Sequence, residues 1–207
     1  MIHNIIFDLG GVILNLDAEA TRKSFEDLGM RDFVNQYSFA KQSGIFDSFD
    51  RGEIAEQEFR NHLKKYLPEN TSDESVDKAW NAMLLDLPEN RLQLLILLRK
   101  KYRLFLLSNT NEIHIKAFSA DLEKTFGFSD FTGYFEKVYY SCRIGKRKPD
   151  IETFQFVLDE NKLKAEETLF IDDSPQHISG AEKLLLKTYL LKPGEDIVSV
   201  FKNNNWE

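Results

Sequence analysis

Asn4-Ile5-Ile6-Phe7-Asp8-Leu9-Gly10-Gly11-Val12-Ile13 decides the fold. Its first half is a short apolar run of the kind that forms a buried strand in a parallel sheet. The run ends in an acid, and two glycines follow at once. A carboxylate at the end of a buried strand is costly unless a partner or ligand compensates it. Glycines there let the chain turn tightly and let a ligand approach the main chain. Asp8 is therefore read as a nucleophile or a metal ligand at the top of a central strand. The ordinary alternative is a cap on the next element.

Working outward, residues 17–86 are polar, helix-patterned and poor in strand signals. Ala18, Thr21, Phe25 and Leu28 share one helical face, and Gly29 stops that helix. A helical piece is expected at Phe33-Val34-Asn35-Gln36-Tyr37, a loop over 43–52, a helix over 55–67 closed by Pro68, and another after Ser72. Pro88 opens a helix leading into the strand Arg103-Leu104-Phe105-Leu106-Leu107, which ends in Ser108-Asn109-Thr110. Residues 113–126 are helical, 137–141 form a strand, and Gly145-Lys146-Arg147-Lys148-Pro149-Asp150 is a basic loop before the helix 151–161. The strand Thr168-Leu169-Phe170-Ile171 ends in Asp172-Asp173. A helix over 180–186, an edge strand over 188–191 and a loose tail from Asn203 complete the chain.

Strands alternating with helices predict an α/β fold: a Rossmann-like three-layer core around a parallel five-stranded sheet, with a small helical cap inserted after the first strand. The division is 1–16 and 87–207 for the core and 17–86 for the cap. Such sheets place their sites beyond the carboxyl ends of the strands. Three strand ends carry polar residues here: Asp8, Ser108-Asn109 and Asp172-Asp173.

Composition narrows the partners. The 207 residues are 42% hydrophobic, enough for a sizeable core, and the net charge of −7 argues against nucleic acid or an anionic membrane. A single cysteine, Cys142, excludes an internal disulfide framework and suits a packing role in a reducing compartment. No basic region followed by a long apolar stretch opens the chain, so the expected place is the cytoplasm. His3, His62 and His114 lack a metal-ligand spacing, and His177 reads as a polar loop residue.

Two acidic strand ends side by side call for a cation, and an oxygen-only set favours magnesium. Ser108 and Asn109 offer donors for phosphate oxygens, and Lys148 a point charge for both phosphate and nucleophile. A carboxylate attacking phosphorus would give an aspartyl-phosphate that water then hydrolyses. Each element has an ordinary reading as a helix cap or a solvated loop. Their joint appearance at strand ends is what favours a site.

Phe7-Asp8-Leu9-Gly10-Gly11-Val12, Leu107-Ser108-Asn109-Thr110, Arg147-Lys148-Pro149-Asp150 and Phe170-Ile171-Asp172-Asp173 with Gly180-Ala181 come in an order that resembles the haloacid dehalogenase-like hydrolases. The chain is similar to the small helical-cap phosphatases of that family, including bacterial glucose-1-phosphate phosphatases. Arg51-Gly52-Glu53-Ile54 also resembles that group. The resemblance implies Asp8 as nucleophile, the Gly10 carbonyl and Asp173 as Mg2+ ligands with Asp172 in support, Ser108 and Asn109 binding phosphate, and Lys148 as the essential lysine. Most such phosphatases carry a second aspartate, the general acid and base, where Gly10 stands. Asp17 is the expected substitute.

The function implied is magnesium-dependent hydrolysis of a small phosphorylated metabolite. The alternatives are a metal-independent 2-haloacid dehalogenase and a non-catalytic relative that binds a ligand. Phe46, Phe49, Trp80 and Trp206 suit packing. The stretch 46–52 is nonetheless expected over Asp8, with Phe46 and Asp47 as candidate substrate contacts. Its acids favour a neutral, polyhydroxylated leaving group such as a sugar.

Overall fold

The computed structural model describes residues 1–30 and 44–204. Its strands are β1 (Asn4–Phe7), β2 (Arg103–Ser108), β3 (Lys137–Tyr140), β4 (Thr168–Asp172) and β5 (Lys187–Leu190). They form one sheet in the order β3-β2-β1-β4-β5, with every pairing parallel. The helices are α1 (Ala18–Asp27), α2 (Ile45–Asp50), α3 (Glu56–Lys64), α4 (Asp73–Asn81) and α5 (Glu89–Leu98). After these come α6 (Glu112–Phe126), α7 (Ser141–Ile144), α8 (Ile151–Asn161), α9 (Pro175–Glu182) and α10 (Ile197–Asn203).

The central strands carry unbroken apolar runs in their middles because both faces are covered. Side chains alternate across a strand, so Ile5 and Phe7 face one layer and Ile6 the other. The first layer joins Ile5, Phe7, Leu104, Leu106, Leu169 and Ile171 to α5, α6 and α10. The second joins Ile6, Phe105, Leu107 and Phe170 to α8 and α9. The chain builds outward from β1 to β3, then returns to the other side of β1 for β4. The crevice between the ends of β1 and β4 is thus the switch point where such sheets bind ligands.

Helices α1 to α4 bury a cluster of their own: Phe25, Phe46, Phe49, Phe59, Leu63, Val76 and Trp80, joined by Ile113 of α6. Phe59 stacks on Phe49 with ring centroids 4.2 Å apart and also meets Phe46 and Trp80. The two connections to the sheet run side by side. Asn15 N–H donates to the Asp86 carbonyl, Leu85 N–H to that of Asn15, and Asp17 N–H to that of Met83.

Two sequence expectations are revised, and one helix stands where none was expected. The 43–52 loop contains the helix α2, which buries Phe46 and Phe49 and is braced by Arg51 bonding Asp47 four residues back. Six residues are too few for periodicity to reveal. The helix expected at 180–186 is α9, which begins earlier because Pro175 supplies the fixed φ of a first helical residue. Near the end, Asp196 caps α10 by accepting from Val198 N–H, and Ile197 and Val200 bury beside β1. The helical piece at 33–37 and Trp206 lie outside the described residues. No described helix is long and apolar enough to cross a membrane.

Phe59 is fully buried at the centre of the cap cluster. Phe59→Ala should destabilise the protein by about 3–5 kcal/mol, the usual cost of such a cavity, measured by denaturant titration. A loss well under 1 kcal/mol would mean that the cap cluster contributes little to folding.

Candidate active site

Asp8 follows β1 directly, and its N–H donates to the Ile171 carbonyl, so the pairing with β4 continues to the acid itself. The ends of β1 and β4 thereby bring Asp8, Asp172 and Asp173 together, with one oxygen from each within 4.8 Å of the others. Lys148 reaches in from the 145–150 loop and is fully buried. Its Nζ donates to Asp8 Oδ1 at 2.8 Å and to Asp172 Oδ2 at 2.7 Å.

Asp172 is saturated by protein. Oδ2 takes the lysine, and Oδ1 accepts from Ser174 N–H and from His177 Nδ1. Asn109 is equally committed. Its amide nitrogen donates to the Lys148 carbonyl at 2.9 Å, and its oxygen accepts from Lys148 N–H at 3.0 Å. Both residues hold the lysine in place. Asp173, Ser108 and Asn109 line an open cavity of about 420 Å³, together with Asp8, Gly10, Gly11 and His177, and Asp172 does not.

The charges do not balance. Burial opposes the Lys148 charge, yet Asp172 and Asp8 outweigh it and hold the ammonium firmly on. Burial likewise acts against Asp172, but Lys148 and His177 keep its carboxyl below the usual range. Burial raises Asp8 against the pull of Lys148, with the Asp172 charge adding to the rise. Asp173 is pushed up to about 7 by burial and by the charges of Asp8 and Asp172. One ammonium thus serves three carboxylates, which is the donor set that suits a hard divalent cation. Gly11 fits the same purpose. It turns at φ +76°, and any Cβ there would collide with the Asp173 carboxylate.

The roof of the cavity comes from the cap and the start of α6. Asp50 accepts from Asn111 Nδ2 at 3.1 Å, and its Oδ2 lies 3.6 Å from Arg147 Nε. Asn111 Oδ1 accepts in turn from Trp80 Nε1. His114 stacks on Trp80 with ring centroids 4.9 Å apart, and its Nδ1 bonds Asn81 Oδ1. Asp50, Trp80, Asn111, His114 and Arg147 all line the cavity.

Several sequence candidates sit elsewhere. Asp17 is exposed and caps α1, accepting from Glu19 and Ala20 N–H; its neighbours Leu16 and Ala18 line the cavity, and it does not. Phe46 is buried among Phe59 and Trp80 inside the cap. Asp47 is spent on Arg51 and Arg147. Asp50 belongs to the 46–52 stretch expected over Asp8, whereas His114, Arg147 and His177 carry no site role in the sequence reading. Asp50 and Arg147 lie in stretches the motifs mark, but their meeting across 97 residues leaves no local signal.

Residues 5–191 match the family described as haloacid dehalogenase-like hydrolase. The chain belongs to the haloacid dehalogenase-like hydrolases. It is 31% identical over 196 residues to a D-ribitol-5-phosphate phosphatase of Bacteroides thetaiotaomicron, covering 95% of each chain. Among solved structures of this hydrolase family, it resembles an enzyme of Bacteroides thetaiotaomicron in complex with magnesium and inorganic phosphate. That match has a TM-score of 0.88 and 37% identity over 97% of this chain and 100% of that one. A predicted family hydrolase from Porphyromonas gingivalis gives 0.87 at 33% identity, over 99% and 100%.

Burial pushes the His114 imidazole of this hydrolase down to about 3, so the native ring is neutral. The unfolded ring takes a proton near its ordinary value of about 6.5. Between those values the unfolded state holds the extra proton, so stability is full above about 6.5 and falls as pH drops towards 3. His114→Phe keeps a ring over Trp80 and should flatten that fall, read as Tm against pH. Parallel slopes for variant and parent would show that His114 does not carry the pH dependence.

Proposed function

We propose that this hydrolase is a magnesium-dependent phosphatase that cleaves the monoester of a small sugar or polyol through an aspartyl-phosphate on Asp8. The observation that carries the reading is the gathering of Asp8, Asp172 and Asp173 around the buried Lys148 at the switch point of the sheet. Asp8, Asp173 and the Gly10 carbonyl would hold the ion. When bound, it would neutralise the surplus carboxylate charge and draw electron density from a phosphoryl oxygen.

The chain's own residues supply the rest. Lys148 occupies Asp8 Oδ1, which leaves Oδ2 to attack phosphorus in line with the departing alcohol. Ser108 offers its hydroxyl to a phosphoryl oxygen. Asn109 and Asp172 act as positioning residues for Lys148, through its main chain and its ammonium respectively. A cavity of about 420 Å³ suits a small metabolite. Its roof mixes Asp50, Asn111 and Arg147 with Trp80, Met83 and Phe118, which matches a leaving group carrying both hydroxyls and C–H faces. The similarity to a ribitol-phosphate phosphatase supports the same substrate class. A metal-independent dehalogenase would leave the surplus of carboxylates without a use, and a mere binding protein would leave the lysine-paired Asp8 without one.

Assay on a panel of sugar and polyol phosphates should give release of phosphate that a chelator abolishes and magnesium restores. Asp8→Asn should remove turnover while the fold persists; a variant retaining parental rates would rule out the covalent route. Asp173→Asn should weaken magnesium binding in calorimetry more than Asp172→Asn, because both Asp172 oxygens are already engaged. The reverse order would exchange their roles.

A further inference from the structure

We propose that Asp50, on the cap, is the proton donor to the departing alcohol and the proton acceptor for the attacking water. The inference rests on the phosphatase reading above. It starts from a vacancy in the chemistry: position 10 is glycine and cannot shuttle a proton. The acid must come from elsewhere in the cavity.

Among the described residues, the carboxylates lining the cavity are Asp8, Asp173 and Asp50. Asp8 is the nucleophile, and Asp173 belongs to the metal cluster. His177 has Nδ1 on Asp172 and its other nitrogen 3.4 Å from the Asn109 amide. His114 is a neutral ring whose Nδ1 is engaged with Asn81. Asp50 remains, and it stands in the right body. Asp8 is at the end of the sheet, and Asp50 is on α2 of the cap, so both line the cavity from different bodies of the protein. In-line displacement requires the leaving oxygen to face away from the nucleophile.

The surroundings of Asp50 suit both halves of the task. The group is buried, and its carboxyl is raised by that burial against the pull of Arg147 and Asn111, with Asp47 adding to the rise. Cys142, pushed up to about 12 by burial, stays a neutral thiol nearby. Oδ1 is held by Asn111, while Oδ2 has the Arg147 guanidinium 3.6 Å away, beyond hydrogen-bond reach. That Nε is itself buried without a hydrogen-bond partner. The guanidinium can thus steady the carboxylate once its proton has left.

The step balances. The bond from Asp8 to phosphorus forms as the ester P–O bond breaks, and the leaving oxygen's electron pair takes the proton of the Asp50 carboxyl. Water then attacks phosphorus and Asp8 departs with the P–O electron pair. The proton of that water restores the Asp50 carboxyl.

The test compares parent and Asp50→Asn on ribitol 5-phosphate and on p-nitrophenyl phosphate, whose phenolate leaves without a proton. The asparagine is isosteric and keeps an oxygen for Asn111. The loss in kcat/KM on the alkyl ester should exceed that on the aryl ester by about 100-fold, the lower range for general acid catalysis. On the aryl ester kcat should fall and a burst of p-nitrophenolate should appear, because hydrolysis of the intermediate has lost its base. Equal losses on the two esters, or none on either, would overturn the assignment. Failure of the parent on both esters, or full activity of Asp8→Asn, would instead strike the phosphatase reading and take this inference with it.

Discussion

The ammonium of Lys148 is the constraint on which the site is built. Burying a charge so completely is tolerable only if it is paired and held in good geometry, and removing one partner of such a pair typically costs about 3–5 kcal/mol. The protein meets that demand several times over. Asp8 and Asp172 share the ammonium, Asn109 brackets its main chain on both sides, and Thr153 Oγ1 donates to the carbonyl of Arg147 just before it. Ser174 and His177 then fix Asp172. Much of what surrounds Asp8 is an apparatus for keeping one cation still.

The same short loop also governs the roof. Lys148 bonds the strand ends, whereas the preceding Arg147 lies against Asp47 and Asp50 of the cap, and Asp150 pairs with Arg51 at 2.8 Å. Consecutive residues therefore tie together the two bodies that close the cavity. Each ion pair at that seam is partly buried, where screening by salt is weaker than at an open surface.

The floor of the site was legible in the sequence, whereas of the roof only the 46–52 stretch was, for a physical reason. An acid at the end of an apolar strand is a local anomaly, so Asp8, Ser108 and the Asp172-Asp173 pair stand out within a few residues of text. Parallel pairing then brings those ends together without further information. Asp50, Asn111 and Arg147 meet only through packing of α2 against the core, and α2 is too short to announce itself. Asp17 illustrates the opposite error. It lies close to the motif in sequence, but an aspartate just ahead of a helix more simply satisfies free N–H groups. His177 looks like a loop residue in sequence, yet Pro175, two positions before it, opens the helix that carries it.

The two connections between cap and sheet bond to one another through Asn15, Asp17, Met83, Leu85 and Asp86. The segment they enclose therefore begins and ends at neighbouring points. In modular terms it is a cassette: its excision would leave a gap that a tight turn could span, with little loop-closure entropy at stake. Inserts of quite different length could be exchanged at that junction while the register of β1 against β2 and β4 stays as it is. A lineage could in this way replace its roof wholesale and keep the same chemistry beneath it.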